Sequence, residues 1–472
     1  MYNWKNNWNI AMMTDSYKAS HWKQYPKGTT KIYSYLESRG SKMSDKTLFF
    51  GLQYYLKRYL VGKVIDRAGV DVAEKFWTQH LGPGIFDRTK WDYIVEKLGG
   101  KLPIKIRAVR EGEWVPNHNV LLVIENTDPN CFWLTNFLET LILKIWYSIS
   151  VATNSGNIRK LIGEYLDETA DRGGLDWKLH DFGYRGVSSE ETAGIGDMGH
   201  LVNFNGTDTV AGIWYAREFY NTEAMLGGSI PASEHSTITT WLRDGEIEAF
   251  RNMLLSYPVG PMACVSDSFH IFEALEKWGD LKELIMSRDG TLVIRPDSGD
   301  PAQTDLKVIE RLAEIFGYTV NDKGYKVLDP HVRVIQGDAV WYGSIKEILE
   351  LLKKNGWSAD NMVFGCGGKL LQDFNRDTFN FAIKCSYAVI DGEERYVEKS
   401  PVEIDASGEL VQSFKKSKKG ELKLVKVDGE YKTLTNFDEG FAEAVDELVT
   451  VYEDGEILVE YTFEEIRTRA RG

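Results

Sequence analysis

Three aspartates, Asp267, Asp297 and Asp338, each stand just past a short apolar run, in Ser266-Asp267-Ser268, Arg295-Pro296-Asp297-Ser298-Gly299-Asp300 and Gln336-Gly337-Asp338. Like charges gathered at equivalent places are costly unless a ligand or cation meets them. An aspartate accepts hydrogen bonds from ribose hydroxyls or holds a hydrated Mg²⁺, and the planar fork of Arg295 suits carboxamide or phosphate oxygens. A structural ion pair at a strand end is the plainer alternative for Arg295 and Asp297. Gly337-Asp338 and Gly365-Cys366-Gly367-Gly368 are glycine turns before helical patterns, where backbone N–H groups can approach an anion. Such turns also serve steric needs; Arg376 and Lys384, shortly downstream, favour phosphate.

A second cluster runs through His180-Asp181-Phe182-Gly183-Tyr184-Arg185-Gly186, residues 203–212, and Ser229-Ile230-Pro231-Ala232-Ser233-Glu234-His235-Ser236-Thr237. Phe182 and Arg185 in one glycine-flanked turn can stack on and polarise a flat heterocycle, although a lone phenylalanine is more often core. His235, beside Glu234, suits a general base, phosphate acceptor or metal ligand; a lone histidine is more often structural. No HExxH spacing points to a dedicated zinc site.

These residues need elements to carry them. The apolar runs 262–265, 291–294, 332–335 and 362–364 read as buried strands, and 271–286, 305–316 and 344–355 repeat apolar residues at helical spacing. Strand, polar turn and helix in alternation predict a parallel α/β sheet or barrel with its chemistry at the carboxyl ends of the strands. We expect this barrel over residues 149–385. Residues 1–148 and 386–472 are expected to form a second, sheet-rich α+β domain, with a helix over 47–61, strands at 102–109, 120–124 and 457–461, and an Asp428-Gly429 hairpin between 422–427 and 430–434. The run Lys415, Lys416, Lys418, Lys419 is a solvated loop on the plainer reading, or a basic loop closing over phosphates on the sharper one.

A chain of 472 residues with 43% hydrophobic content can build more than one core, and a net charge of -14 argues against nucleic acid or an anionic membrane as partner. The four cysteines show no CxxC spacing, which suits reduced thiols in the cytoplasm. The first ten residues lack the apolar stretch of a secretory signal, and 131–150 reads as a buried helix interrupted by Asn136, Glu139 and Lys144 rather than a membrane span. The sequon Asn205-Gly206-Thr207 is expected to be an unmodified turn.

Taken in order, these blocks resemble the nicotinamide phosphoribosyltransferases. The resemblance covers 11–17, 24–26, 50–53, 180–212, 231–240, 265–268, 294–299, 334–338, 384–387 and 417–420, and its most specific parts are His180-Asp-Phe-Gly-Tyr-Arg-Gly-Val-Ser-Ser and Pro231-Ala-Ser-Glu-His-Ser-Thr. It implies condensation of nicotinamide with phosphoribosyl pyrophosphate (PRPP) to nicotinamide mononucleotide and pyrophosphate in NAD salvage. It also implies use of Mg²⁺, ATP hydrolysis coupled through a phosphohistidine, and a homodimer with shared active sites. The fold implied is an atypical, TIM-like α/β barrel joined to a sheet-rich domain. Phe182 and the partner subunit's Tyr17 would sandwich the pyridine ring, and Asp208 would accept the carboxamide N–H. Arg295 and Arg185 would orient base and phosphate; Asp297 and Asp267 would take the ribose and magnesium side. Gly337, Asp338, Gly367, Gly368 and Arg376 would hold the 5′-phosphate, and Arg39, Lys384, Lys399 and Lys415 the diphosphate or ATP phosphates. His235 would be the phosphorylated residue. Lys369, where a third glycine is expected, and Ala263 and Ala382, where serines are expected, depart from the pattern. A nicotinate-using enzyme of the same fold and a non-catalytic nucleotide-binding or signalling protein are the alternatives.

Overall fold

A computed structural model describes residues 8–404, 407–412 and 416–472. The chain divides into two compact units, one made of residues up to 153, 219–222 and 375 onward, the other of 154–218 and 223–374.

The first unit is built on a seven-stranded sheet in the order Glu393–Tyr396, Phe381–Ile390, Thr29–Ser38, Val120–Asn126, Ile104–Ala108, Val449–Glu453, Glu456–Ile457. Every neighbouring pair is antiparallel, so strands from both ends of the sequence interleave. Residues 381–385, which the sequence grouped with the barrel, pair here instead: Lys384 lies opposite Tyr35. The hairpin at Asp428-Gly429 forms, with φ of 52° and 82° at the two turn residues, the left-handed pair that a two-residue turn requires.

Two expectations fail in this unit, for reasons remote in sequence. Residues 47–61 are not one helix. Lys46–Leu48 is a strand paired with Trp114–Pro116, and helix begins only after Gly51, whose φ is 103°. A Cβ at Gly51 would lie 2.1 Å from Ser148 Oγ. The buried Glu111 carboxylate fixes this corner, accepting the N–H groups of Gly51 at 2.9 Å and Gln53 at 2.6 Å and the Tyr220 hydroxyl at 2.9 Å. Residues 457–461 are not a full strand, because the Tyr461 N–H donates to Gln53 Oε1 at 2.7 Å and its carbonyl accepts from Gln53 Nε2 at 3.1 Å. Glu111→Ala strands three donors at once. We expect a loss of about 3–5 kcal/mol, read as a lower urea midpoint; an unchanged midpoint would show that the corner holds without it.

The apolar stretch 131–150 is a chain of short helical turns leading into the helix Trp146–Thr169, and among the described residues no helix is long and apolar enough to cross a membrane.

The second unit carries a six-stranded parallel sheet ordered Gly206–Thr207, Leu179–Asp181, Met362–Cys366, Val332–Gln336, Leu292–Arg295, Met262–Val265. Helices Ile271–Asp280, Pro301–Phe316 and Tyr342–Lys354 follow successive strands. The helix expected over 271–286 breaks at Leu281, whose N–H turns back to the Trp278 carbonyl at 3.1 Å. Residues 228–232 join the two sheet edges. Gly228 bridges Gly206 on one edge, and Ala232 bridges Ala263 on the other. Pro231 has no N–H to extend a ladder, but its carbonyl accepts from Ala263 N–H at 2.9 Å. The interior is apolar: Ala263, Val293 and Ile335 pack together, with Phe182, Ile230 and Val363 against them.

Candidate active site

The carboxyl ends of the parallel strands place the polar residues side by side. Asp267 follows Met262–Val265, and its side chain is 6% exposed. One carboxylate oxygen meets His235 Nε2 at 3.1 Å, and the other accepts the Ser298 hydroxyl at 2.6 Å. His235 opens the short helix His235–Thr239, directly after Glu234. An imidazole whose Nε2–H donates to Asp267 leaves Nδ1 with its lone pair free, the form needed to attack a phosphoryl group.

On the next strand end Arg295 donates to Asp297 at 3.1 Å. Gly337 is close by: a Cβ there would come 3.2 Å from Asp297 Oδ1, 3.4 Å from Arg295 Cδ and 3.6 Å from the Phe182 ring. Arg295, Asp297, Gly337 and Phe182 thus converge from three strand ends. Phe182 follows Leu179–Asp181, and its N–H donates to the Cys366 carbonyl at 2.9 Å. Its ring lies over Gly365, where a Cβ would sit 1.9 Å from Cε2.

Asp208 follows the edge strand Gly206–Thr207 and is exposed. Its backbone N–H donates to the Asp181 carbonyl at 2.9 Å, and its carboxylate accepts from the Ser229 hydroxyl. Ser229 and Ser298 are partners to which the sequence assigned no role; each lies inside a segment singled out for its neighbours. Arg185 is exposed in the turn Tyr184–Gly186.

Gly337, Asp338, Gly367 and Gly368 line one cavity of 520 Å³, shared with Lys369 and Asp373. Lys369, the residue standing where a glycine was expected, pairs with Asp373 at 3.0 Å.

The first unit collects a different set. Burial holds the Lys384 ammonium below the usual lysine range; Glu139 opposes this, and the positive charges of Arg39, Lys399 and Arg376 add to it. Several cations acting on one ammonium mark this part of the unit as locally positive, the kind of field that attracts anions. Arg39 is held by Glu37 at 2.8 Å and Arg376 by Asp377 at 2.7 Å, and the Lys399 N–H donates to Ser417 Oγ at 2.8 Å. Tyr17 and Lys384 line one cavity of 430 Å³. The Tyr17 ring is 59% exposed, edge-on to His21 at 4.8 Å. Lys415 lies outside the described residues.

The family model described as the nicotinate phosphoribosyltransferase family matches residues 177–452, and that of the nicotinamide phosphoribosyltransferase N-terminal domain matches 9–106. The chain is 46% identical, over 98% of both chains, to a nicotinamide phosphoribosyltransferase of Xanthomonas campestris pv. campestris. It is 33% identical to one of Acinetobacter baylyi, over 96% of this chain and 95% of the other. In fold it is similar to the nicotinate-nucleotide pyrophosphorylase of Pyrococcus furiosus, with a TM-score of 0.59 at 15% identity, covering 100% of this chain and 96% of that one. It is also similar to human nicotinic acid phosphoribosyltransferase, with a TM-score of 0.55 at 16% identity, covering 97% and 93%. Matched over more than half its length by that family model and along nearly all of it by these relatives, the chain belongs to the nicotinate phosphoribosyltransferase family.

Proposed function

We propose that the chain transfers the phosphoribosyl group of PRPP to nicotinamide, releasing pyrophosphate and forming nicotinamide mononucleotide. The observation that carries this reading is Asp208, an exposed carboxylate bonded through its backbone to the strand end that presents Phe182. A carboxylate only accepts hydrogen bonds: it pairs with the N–H of a carboxamide and repels the carboxylate of nicotinate.

Cleavage at ribose C1 builds positive charge on the sugar and negative charge on the departing diphosphate, so preorganised charge is the main source of acceleration. Asp297, which accepts from Arg295 at 3.1 Å, would receive the ribose hydroxyls, and the cavity lined by Gly337, Asp338, Gly367 and Gly368 would take the 5′-phosphate. Arg39, Lys384 and Lys399 would meet the diphosphate and Arg376 the 5′-phosphate, with Arg185 nearer the base. Mg²⁺ bound to the diphosphate would neutralise part of its charge. Asp297 and Asp267 fit such an ion held through water, because the described residues offer no cluster of three or more His, Cys, Asp or Glu ligands and Mg²⁺ keeps several waters. Phe182, facing the partner subunit's Tyr17 in a homodimer, would hold the ring nitrogen in line with C1, which is catalysis by positioning.

The His235–Asp267 pair supports ATP coupling through a phosphohistidine. The test supplies purified protein with nicotinamide, Mg²⁺ and PRPP and measures mononucleotide. We expect product with nicotinamide in strong preference to nicotinate; no product overturns the reading. In His235→Ala we expect basal turnover to persist while ATP stimulation disappears, chiefly as weaker PRPP capture. Retained stimulation would remove the phosphohistidine.

A further inference from the structure

Tyr17 stands exposed in a segment that is otherwise anchored. Ser16–Lys23 is one 3₁₀ helix of eight residues, long for a helix type whose hydrogen bonds are poorly aligned. Side chains on both sides of Tyr17 hold it from outside. The Thr14 hydroxyl donates to the Phe137 carbonyl at 2.8 Å, the Asp15 N–H donates to Thr140 Oγ1 at 3.1 Å, and the Thr140 hydroxyl donates back to Asp15 Oδ2 at 2.6 Å. Beyond Tyr17, the Lys18 side chain is 4% exposed and donates to Glu139 Oε2 at 2.6 Å and to the Asn136 carbonyl at 3.0 Å. The mechanism leaves this ion pair without a role.

The turns that receive these bonds are themselves fixed to the seven-stranded sheet. The Ser34 hydroxyl donates to Asn136 Oδ1 at 2.7 Å, and the Thr135 hydroxyl to the Ile32 carbonyl at 3.2 Å. A buried ammonium that leaves its carboxylate is costly, so residue 18 cannot shift without breaking the pair, and Tyr17 is its neighbour in the chain. The Lys18 ammonium also lies 5.7 Å from the centroid of the Tyr17 ring, within the range of a cation–π contact.

Resting on the phosphoribosyl-transfer reading above, we propose that Lys18 is a positioning residue for the pyridine base, acting through Tyr17. Paired with Glu139, it locks the 3₁₀ helix to the sheet on one side of the ring, while Asp15 and Thr140 lock it on the other. The ring is thereby held in one place before any base arrives, so that little ordering is left to be done on binding. Lys18, Glu139, Tyr17 and Lys384 line the same cavity, and Glu139 favours the charged form of Lys384. A Glu139 carboxylate left alone would therefore act on Lys384; a clean test removes both members of the pair together.

The experiment measures the KM for nicotinamide and the KM for PRPP of the full-length protein in a double-mutant cycle with Tyr17. Lys18→Met with Glu139→Gln raises the KM for nicotinamide about 10-fold and leaves the KM for PRPP near the wild-type value. In a Tyr17→Ala background, where that KM is already raised, the same two substitutions change it little further. A merely structural pair would lower stability in both backgrounds and shift the nicotinamide KM equally in both; that result overturns the proposal. So does a wild-type nicotinamide KM in the Lys18→Met, Glu139→Gln protein, or in Tyr17→Ala itself. Thr140→Val, which removes the bonds to Asp15 and leaves the buried pair intact, supplies a second variant: it raises the nicotinamide KM about 3-fold with Tyr17 present, and an equal rise without Tyr17 again overturns the proposal. Absence of any mononucleotide from the wild type overturns the functional reading and this inference with it; product formation with independent effects overturns the positioning role alone.

Discussion

Gly365→Ala lowers kcat/KM for nicotinamide about 100-fold, although the added methyl group touches no substrate. Gly365 lies on the strand Met362–Cys366, opposite His180 in the parallel register, and its missing side chain is the space the Phe182 ring occupies. The new Cβ would lie 1.9 Å from Cε2 and 2.3 Å from Cδ2 of that ring. The ring cannot yield inward, where Ala263, Val293 and Ile335 fill the interior. It must swing toward the substrate space, removing the stacking surface and crowding Gly337 and Asp297. Overpacking also costs about 1–3 kcal/mol of stability, so the thermal midpoint falls together with activity. A double-mutant cycle separates the two effects. In a Phe182→Ala background, Gly365→Ala has nothing to displace and lowers kcat/KM little further. A single variant with wild-type kcat/KM would show that Phe182 is not the platform.

Features that depend on neighbours in sequence were legible, and those that depend on remote partners were not. The strand Met262–Val265 has the limits expected from its apolar run, because a strand buried on both faces needs only continuous apolar residues and a polar stop. The same stops located Asp267, Arg295 and Asp297, since strand ends of a parallel sheet carry its polar rim. Residues 228–232 gave no strand signal: they contact each sheet edge through a single bridge, and Pro231 interrupts the pattern. Residues 47–61 read as helical because nothing local reveals that Glu111, about sixty positions away, captures two of their N–H groups. Asp197 was invisible for a related reason. A lone acid in a helix reads as a solvated position, and only the fold buries it fully and lets it accept the Thr207 hydroxyl at 2.7 Å. Lys384 was expected near phosphate from its charge, its place shortly after the glycine turn and the resemblance. Its companionship with Arg39 comes from the antiparallel pairing of Phe381–Ile390 with Thr29–Ser38, strands more than three hundred residues apart.

On the proposed reading, choice of base reduces to one charge, which Asp208→Asn removes at nearly constant shape. The Asp208 carboxylate already accepts from Ser229, so one oxygen is directed by the protein and the other is open to a carboxamide N–H. A hydrogen bond to a charged acceptor contributes about 1.5–3 kcal/mol, so replacing it with a neutral amide oxygen lowers kcat/KM for nicotinamide roughly 10- to 100-fold. For nicotinate the sign reverses. Repulsion between two carboxylates in a partly desolvated pocket disappears, and the side-chain N–H that the substitution introduces becomes a donor to the substrate carboxylate, so kcat/KM rises. The two changes multiply in the ratio, making discrimination the most sensitive quantity to measure. Neither change requires the diphosphate cations or Asp297 to move, so the KM for PRPP should stay constant. Competition assays with both bases at equal concentration decide the matter. An Asp208→Asn enzyme that still prefers nicotinamide as strongly as the wild type places the selecting group elsewhere.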